Sequence, residues 1–251
     1  GRRSQGGNLV PGKNSSSGEI LFRMIRSLTF LLVLLVSPAQ ALEPLRIAVA
    51  ANFRGVLEQI NERYLAQSGQ HIQLSSASTG VLANQIMHGA PFDLFFAADT
   101  DTPNKLQAAN KGLSSSCYAM GQMSLVGGDL AALQKPELSV AIANPKTAPY
   151  GRAAIDILSL PEFSAIDRDQ LVRGTNVLQA FQFWRAGAVD LALVARSLAP
   201  EGYPIATSWH RPLQQNLLVL QRSTAVIAYL EWLGSGTVRQ MIIDAGYLPC
   251  S

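Results

Sequence analysis

Four short stretches of this sequence join small hydroxyl, amide and glycine residues to the start of an amphipathic run. They are Ala50-Ala51-Asn52-Phe53, Ser76-Ala77-Ser78-Thr79-Gly80, Asn144 to Gly151 (NPKTAPYG), and Gly174-Thr175-Asn176-Val177. Backbone N–H groups at a helix start point outward and carry partial positive charge, so such junctions can hold an anion without a cationic side chain. The hydroxyls of Ser78, Thr79 and Tyr150 and the amide of Asn52 add side-chain donors. Several donors converging in a dry cleft would suit a doubly charged tetrahedral oxyanion. Each stretch alone reads as an ordinary cap or turn. The expectation rests on the four together, in this order and at these spacings. Arg152, just past Tyr150, is expected to face solvent or a surface carboxylate. Asp93 and Asp99 read as solvated groups at a strand end, which leaves the site without a carboxylate acceptor for a protonated anion.

Other chemistries find less support. The sequence holds no Gly-x-Ser-x-Gly elbow, P-loop or zinc motif. Ser208 and His210, two apart, share a strand face without implying a triad. Ferric binding would want clustered tyrosine, histidine and carboxylate ligands, and His71, His88 and His210 lie in unrelated segments. Cys117 and Cys250 form no C-x-x-C pair; in an oxidising compartment they permit one disulfide, and two buried thiols are the alternative.

The elements that must position the donors follow from periodicity. LRIAVAA (45–51), HIQLSSAS (71–78) and DLFFAA (93–98) read as strands, with further strands at 122–127, 139–143, 191–195 and 216–220. Phe53 to Ser68 reads as a helix, since Phe53, Val56, Leu57, Ile60 and Tyr64 share one face; Val81 to His88 is a second, and Asp99, Asp101 and Pro103 open a third. Helices are also expected near 151–160, 176–187, 224–233 and 236–245. Such βαβα alternation implies mostly parallel sheets flanked by helices, with ligands at the carboxyl ends of strands. About 210 residues fit two lobes with a cleft better than one doubly wound domain. Trp184, Trp209 and Trp232 are expected in the core or in lobe packing.

The amino-terminal segment is set apart from the fold. Residues 24–41, MIRSLTFLLVLLVSPAQA, combine a basic start, an apolar run and Ala39-Gln40-Ala41, the pattern of a secretory signal peptide cleaved after Ala41. Residues 1–23 are polar and rich in glycine and serine, and read as a leader. Together these 41 residues carry five of the 20 basic and one of the 17 acidic residues. The remainder holds 15 basic against 16 acidic residues, about −1, which removes the electrostatic case for nucleic-acid binding.

On the stretches AVAANF (48–53), SASTGVLANQI (76–86), GAPFDLFFAAD (89–99), NPKTAPYGRAA (144–154) and AGAVDLALVA (186–195), residues 45–251 resemble the periplasmic molybdate-binding proteins of ABC importers. The resemblance implies a type II periplasmic-binding-protein fold: two α/β lobes joined by two crossing strands near 121–127 and 215–221. Lobe 1 would comprise 44–122 and 220–251, and lobe 2 residues 123–219. It further implies a monomer that captures molybdate or tungstate, delivers it to a membrane permease in the periplasm, and has no cofactor and no catalysis. The oxyanion would contact Ala51, Asn52, Ser78, Thr79, Tyr150 and Val177, the last through its backbone N–H, with the metal atom held only through its oxo groups. Some members carry serine in place of Asn52 and tyrosine in place of Ala195; this chain resembles the subgroup with asparagine on the first loop and tyrosine on the Pro-Tyr-Gly loop. A sulfate, thiosulfate or phosphate carrier, a secreted hydrolase and a sensor domain are the alternatives.

Overall fold

The computed structural model describes residues 42–251, together with Gly7; the expected signal peptide and the rest of the leader lie outside the described residues. Two five-stranded sheets organise the chain. The first is assembled from β1 (Leu45–Ala50), β2 (Ile72–Ala77), β3 (Leu94–Phe96) and β4 (Ser114–Met120), and from β10 (Gln214–Val219) near the other end of the sequence. Its order is β2-β1-β3-β10-β4, parallel among β1, β2 and β3, with β10 antiparallel to both neighbours. The second runs β7 (Val172–Gly174), β6 (Val140–Ala143), β8 (Leu191–Ala195), β5 (Met123–Val126), β9 (Tyr203–Pro204). There β6 lies parallel to β7 and β8, and β5 antiparallel to β8 and β9.

Strand and helix chemistry explains the layers. β1, β3, β6 and β8 are near-continuous apolar runs, buried on both faces, as parallel strands covered by helices must be. α1 (Arg54–Ser68) turns Val56, Leu57, Ile60 and Tyr64 inward and ends at Gly69. That glycine adopts φ 72°, and its N–H closes onto the Leu65 carbonyl in the left-handed cap that glycine adopts without a Cβ clash. α2 (Thr79–Met87) and α3 (Asp101–Ala108) belong to the face of the first sheet that carries Ala48, Phe95 and Leu218. α6 (Thr224–Leu233) and α7 (Gly236–Asp244) pack with α1 over Ile47, Val49, Phe96 and Leu217 on the opposite face. The second sheet is covered by α4 (Pro149–Leu158) and α5 (Val177–Arg185) around a core of Ile142, Ile157, Leu193 and Phe163. Trp184 and Trp209 pack on this core, and Trp232 on that of the first sheet.

The structure departs from the sequence reading in three places. β4, SSSCYAM, was not expected as a strand, because its serines break the apolar pattern of an edge strand exposed on one side. The short β7 and β9 were also missed. Finally, the return crossing lies before Gln214 rather than at 215–221. β10 sits between β3 and β4, so residues 214–219 belong to the first sheet and not with 123–213. The polar start of β10, Gln214-Gln215-Asn216, hides its strand character; these side chains are used for hydrogen bonds instead. Cys117 and Cys250 are joined in a disulfide that spans 133 residues and, with the Met120–Leu248 bridge, ties the C-terminal segment to β4.

Candidate functional site

The four junctions sit at the carboxyl ends of β1, β2, β6 and β7. Residues from all four line one narrow cleft of about 10 Å³: Ala51 and Asn52, Ser78 and Thr79, Ala148 to Tyr150, and Asn176 with Val177. The structure thus brings together all six residues singled out in the sequence, three loops from one sheet facing two from the other once Ala98 is included.

The cleft is lined by donors. The N–H groups of Asn52, Thr79, Tyr150 and Val177 meet no protein acceptor among the described residues. For Thr79, Tyr150 and Val177 this follows from their place in the first turn of α2, α4 and α5. Pro149 opens α4 where a missing N–H costs nothing, and the turn of Gly151 brings α4 so close to β6 that a Cβ there would meet the Ala143 carbonyl. Asn176 caps α5 by accepting from Gln179 N (3.0 Å), while Gln179 Oε1 accepts from Thr175 N (2.6 Å).

Three hydroxyls add to these. Ser78 is the N-cap residue of α2, yet its side chain makes no cap bond; Oγ is buried without any partner among the described residues. Thr79 Oγ1 accepts from Ala98 N (3.0 Å), which leaves its proton to donate. Tyr150 is buried, and its hydroxyl oxygen accepts from Gln215 Nε2 (2.9 Å). Burial, above all, and then the neighbouring Tyr247 push the Tyr150 phenol well above its ordinary pKa, against the pull of Gln215. Tyr150 is therefore a neutral donor throughout the physiological range.

One expectation is corrected. Asn52 does not present its amide to the cleft: Nδ2 donates to Gln215 Oε1 (2.8 Å) and Tyr247 Oη (2.9 Å), so this residue offers only its backbone N–H. Ala51 N donates to the Ala77 carbonyl (3.1 Å), extending the β1–β2 ladder, and contributes wall rather than a donor. Arg152 meets a carboxylate, one of the two surroundings expected for it, whereas Asp99 is paired rather than merely solvated. Arg152 Nη2 meets Asp99 Oδ2 at 2.7 Å, linking α4 of the second sheet to the end of β3 in the first, with the two side chains 31% and 15% exposed. Asp99 also accepts from the N and Oγ1 of Thr102, both at 3.0 Å. Asp93 Oδ2 accepts from Arg46 N (2.8 Å). A second link between the sheets is Gly80 N to the Thr147 carbonyl (2.9 Å).

Sequence reasoning missed the residues behind the cleft. Gln215, fully buried, accepts from Asn52 and Tyr118 (3.0 Å) and donates to Tyr150. Tyr247 lies within 2.9 Å of the Asn52 carbonyl and of Ser197 Oγ. Its phenol is raised to about 12, mainly by burial. A polar pair in a strand beginning Gln-Gln-Asn was the one available signal. A larger cavity of about 540 Å³ lies elsewhere, between β4, β10 and α6–α7; its lining is mainly apolar.

Residues 45–248 match the family model described as bacterial extracellular solute-binding protein. The chain belongs to that family. Among its relatives, the molybdate-binding protein ModA of Azotobacter vinelandii is 32% identical over 235 residues, covering 85% of this chain and 93% of that relative. ModA of Rhodobacter capsulatus is 31% identical, covering 85% of this chain and 91% of its own. The solved structure of the Azotobacter vinelandii periplasmic molybdate-binding protein superposes with a TM-score of 0.74 at 28% identity, covering 82% of this chain and all of that one. The family's two-sheet α/β architecture is the one described above.

Proposed function

We propose that this chain is the substrate-binding protein of an ABC importer, capturing molybdate or tungstate between two lobes in the periplasm and handing it to a membrane permease. It acts as a monomer and performs no catalysis. The observation that carries the reading is the convergence of four unpartnered backbone N–H groups and three hydroxyls on one cleft between the sheets. The names of the relatives at about one third identity support molybdate as the cargo.

Neutral donors suffice for such a ligand. An unmatched buried charge costs many kcal/mol, and each hydrogen bond to a charged group returns about 1.5–3 kcal/mol. Seven donors, three of them at helix starts, are of the right order to balance that loss. The lobes are drawn as 44–122 with 214–251 and 123–213, the strand β10 having moved to the first. The cleft, at about 10 Å³, has room for about one water-sized sphere, so a larger tetrahedral anion enters by parting of the lobes and is enclosed as they return.

Isothermal titration of residues 42–251 with molybdate, tungstate, sulfate and phosphate in turn tests the proposal. One-to-one binding of molybdate and tungstate with sulfate and phosphate silent is expected. Binding of sulfate or phosphate alone would keep the site and change the cargo, and silence with all four would overturn the reading.

A further inference from the structure

The residue with the most consequence for selectivity never reaches the cleft. Gln215 stands behind it on β10, fully buried, and its amide is held from three sides. Asn52 Nδ2 and Tyr118 Oη lie against Oε1 at 2.8 and 3.0 Å, while Nε2 lies 2.9 Å from Tyr150 Oη. Tyr118, Tyr150 and Tyr247 are all raised by burial and remain protonated, so none of the surrounding phenols becomes an anionic acceptor. Resting on the oxyanion reading above, we propose that Gln215 is a positioning residue: it presents a donor to the Tyr150 hydroxyl and so cannot receive that hydroxyl's proton, which is left for the ligand in competition with the neighbouring Tyr247.

The consequence is a site poor in acceptors. Thr79 Oγ1 is likewise occupied by Ala98 N, which aims a second proton at the cleft. Of the three hydroxyls, only Ser78 keeps an oxygen that is not already engaged. A fully deprotonated dianion such as molybdate, tungstate or sulfate can accept from every group. An anion that carries a proton, such as hydrogen phosphate, finds among the three hydroxyls only the Ser78 oxygen unengaged to receive it. Selection by proton state is thus set from behind the wall, by the direction of one amide.

Glycine at 121 is part of the same device. It lies where the chain passes from the first sheet to the second, its N–H bonded to the Leu213 carbonyl (2.8 Å). A Cβ there would come within 2.5 Å of Gln215 Nε2 and closer still to the Tyr150 hydroxyl. Only a glycine leaves this hydrogen bond room to form.

A double-mutant cycle with Q215L and Y150F tests the assignment, using molybdate and hydrogen phosphate as the titrants, with thermal melts to check folding. Each single variant is expected to lose about tenfold in molybdate affinity, the size of one hydrogen bond to an anion. The double variant should lose scarcely more than Y150F alone, because Gln215 acts through that hydroxyl. Multiplying losses would mean that Gln215 supports the fold generally, and would overturn the proposal. Q215E adds a second readout. Its carboxylate would draw the Tyr150 proton inward, so the ratio of hydrogen phosphate to molybdate affinity should rise; an unchanged ratio in a folded Q215E protein would also overturn it. Where Q215E fails to fold, the neutral cycle decides alone. Failure of the unsubstituted protein to bind any dianion would instead remove the reading on which the assignment rests.

Discussion

Replacing Ser78 with alanine should move stability and affinity in opposite directions. Ser78 is 4% exposed, and its Oγ is buried with neither a cap bond nor any other partner among the described residues. A buried polar group left unpaired costs about 1–3 kcal/mol, so S78A relieves a penalty when the cleft is empty. For a chain of this size, a gain of about 1 kcal/mol raises the melting temperature by roughly 2–4 °C. With the anion bound, the same hydroxyl would supply a hydrogen bond to a charged group, of about 1.5–3 kcal/mol. Its loss corresponds to roughly 10- to 150-fold in affinity. The assay is a pair of thermal melts, with and without molybdate, backed by isothermal titration. Thr79→Val is the informative contrast. It leaves Ala98 N without its acceptor, so both the ligand-free stability and the affinity should fall. A Ser78→Ala protein that melts lower when ligand-free and binds molybdate unchanged would refute the reasoning, since the hydroxyl would then be serving the fold.

Gly121→Ala should displace Tyr150 and Gln215, lowering stability by about 1–3 kcal/mol through overpacking and reducing affinity with it; denaturant melts and titration read both. Asp99→Asn weakens the pair with Arg152 that joins the two sheets, and affinity is expected to fall by about twofold to tenfold, with less dependence on salt than in the parent protein. Removing the disulfide with C117S and C250S should cost about 2–4 kcal/mol in urea melts, and should also weaken binding by freeing the segment that carries Tyr247. The hydrogen bonds from Arg211 hold the Asp156 carboxyl below its ordinary pKa against a smaller opposing effect of burial. A depressed carboxylate stabilises the fold above its unfolded pKa and loses that contribution as pH falls through the lower folded value. Asp156→Asn should therefore flatten the acid limb of stability below about pH 4, by no more than about 1 kcal/mol for so exposed a pair, as melts from pH 7 to 3 would show.

Much of the architecture was legible because buried parallel strands and amphipathic helices leave strong periodic marks: LRIAVA, VAIA and LALVA could hardly be anything else. The four junctions were legible for a related reason, since small polar residues at strand ends before helices have few other uses. What the sequence could not show was direction. Asn52 reads as a donor to the cleft, yet its amide faces away toward Gln215 and Tyr247, 163 and 195 positions along the chain. Arg152 reads as facing solvent or a surface carboxylate, but which carboxylate was not legible: Asp156 is four residues away in sequence, whereas the partner is Asp99, which reaches it only when two sheets meet. The serine-rich β4 and the Gln-Gln-Asn start of β10 were obscured because their polar residues break the pattern that periodicity detects.

The placement of β10 between β3 and β4 has a consequence for the nascent protein. As the polypeptide emerges from its N-terminal side, β4 has no strand to join until residues 214–219 have been made, because its sole strand partner in the sheet is β10. The second sheet, in contrast, draws every strand from one uninterrupted stretch, Met123 to Pro204. Domains fold as units once their parts are available. The half that comes first in the sequence is therefore the half whose set of strands is completed last.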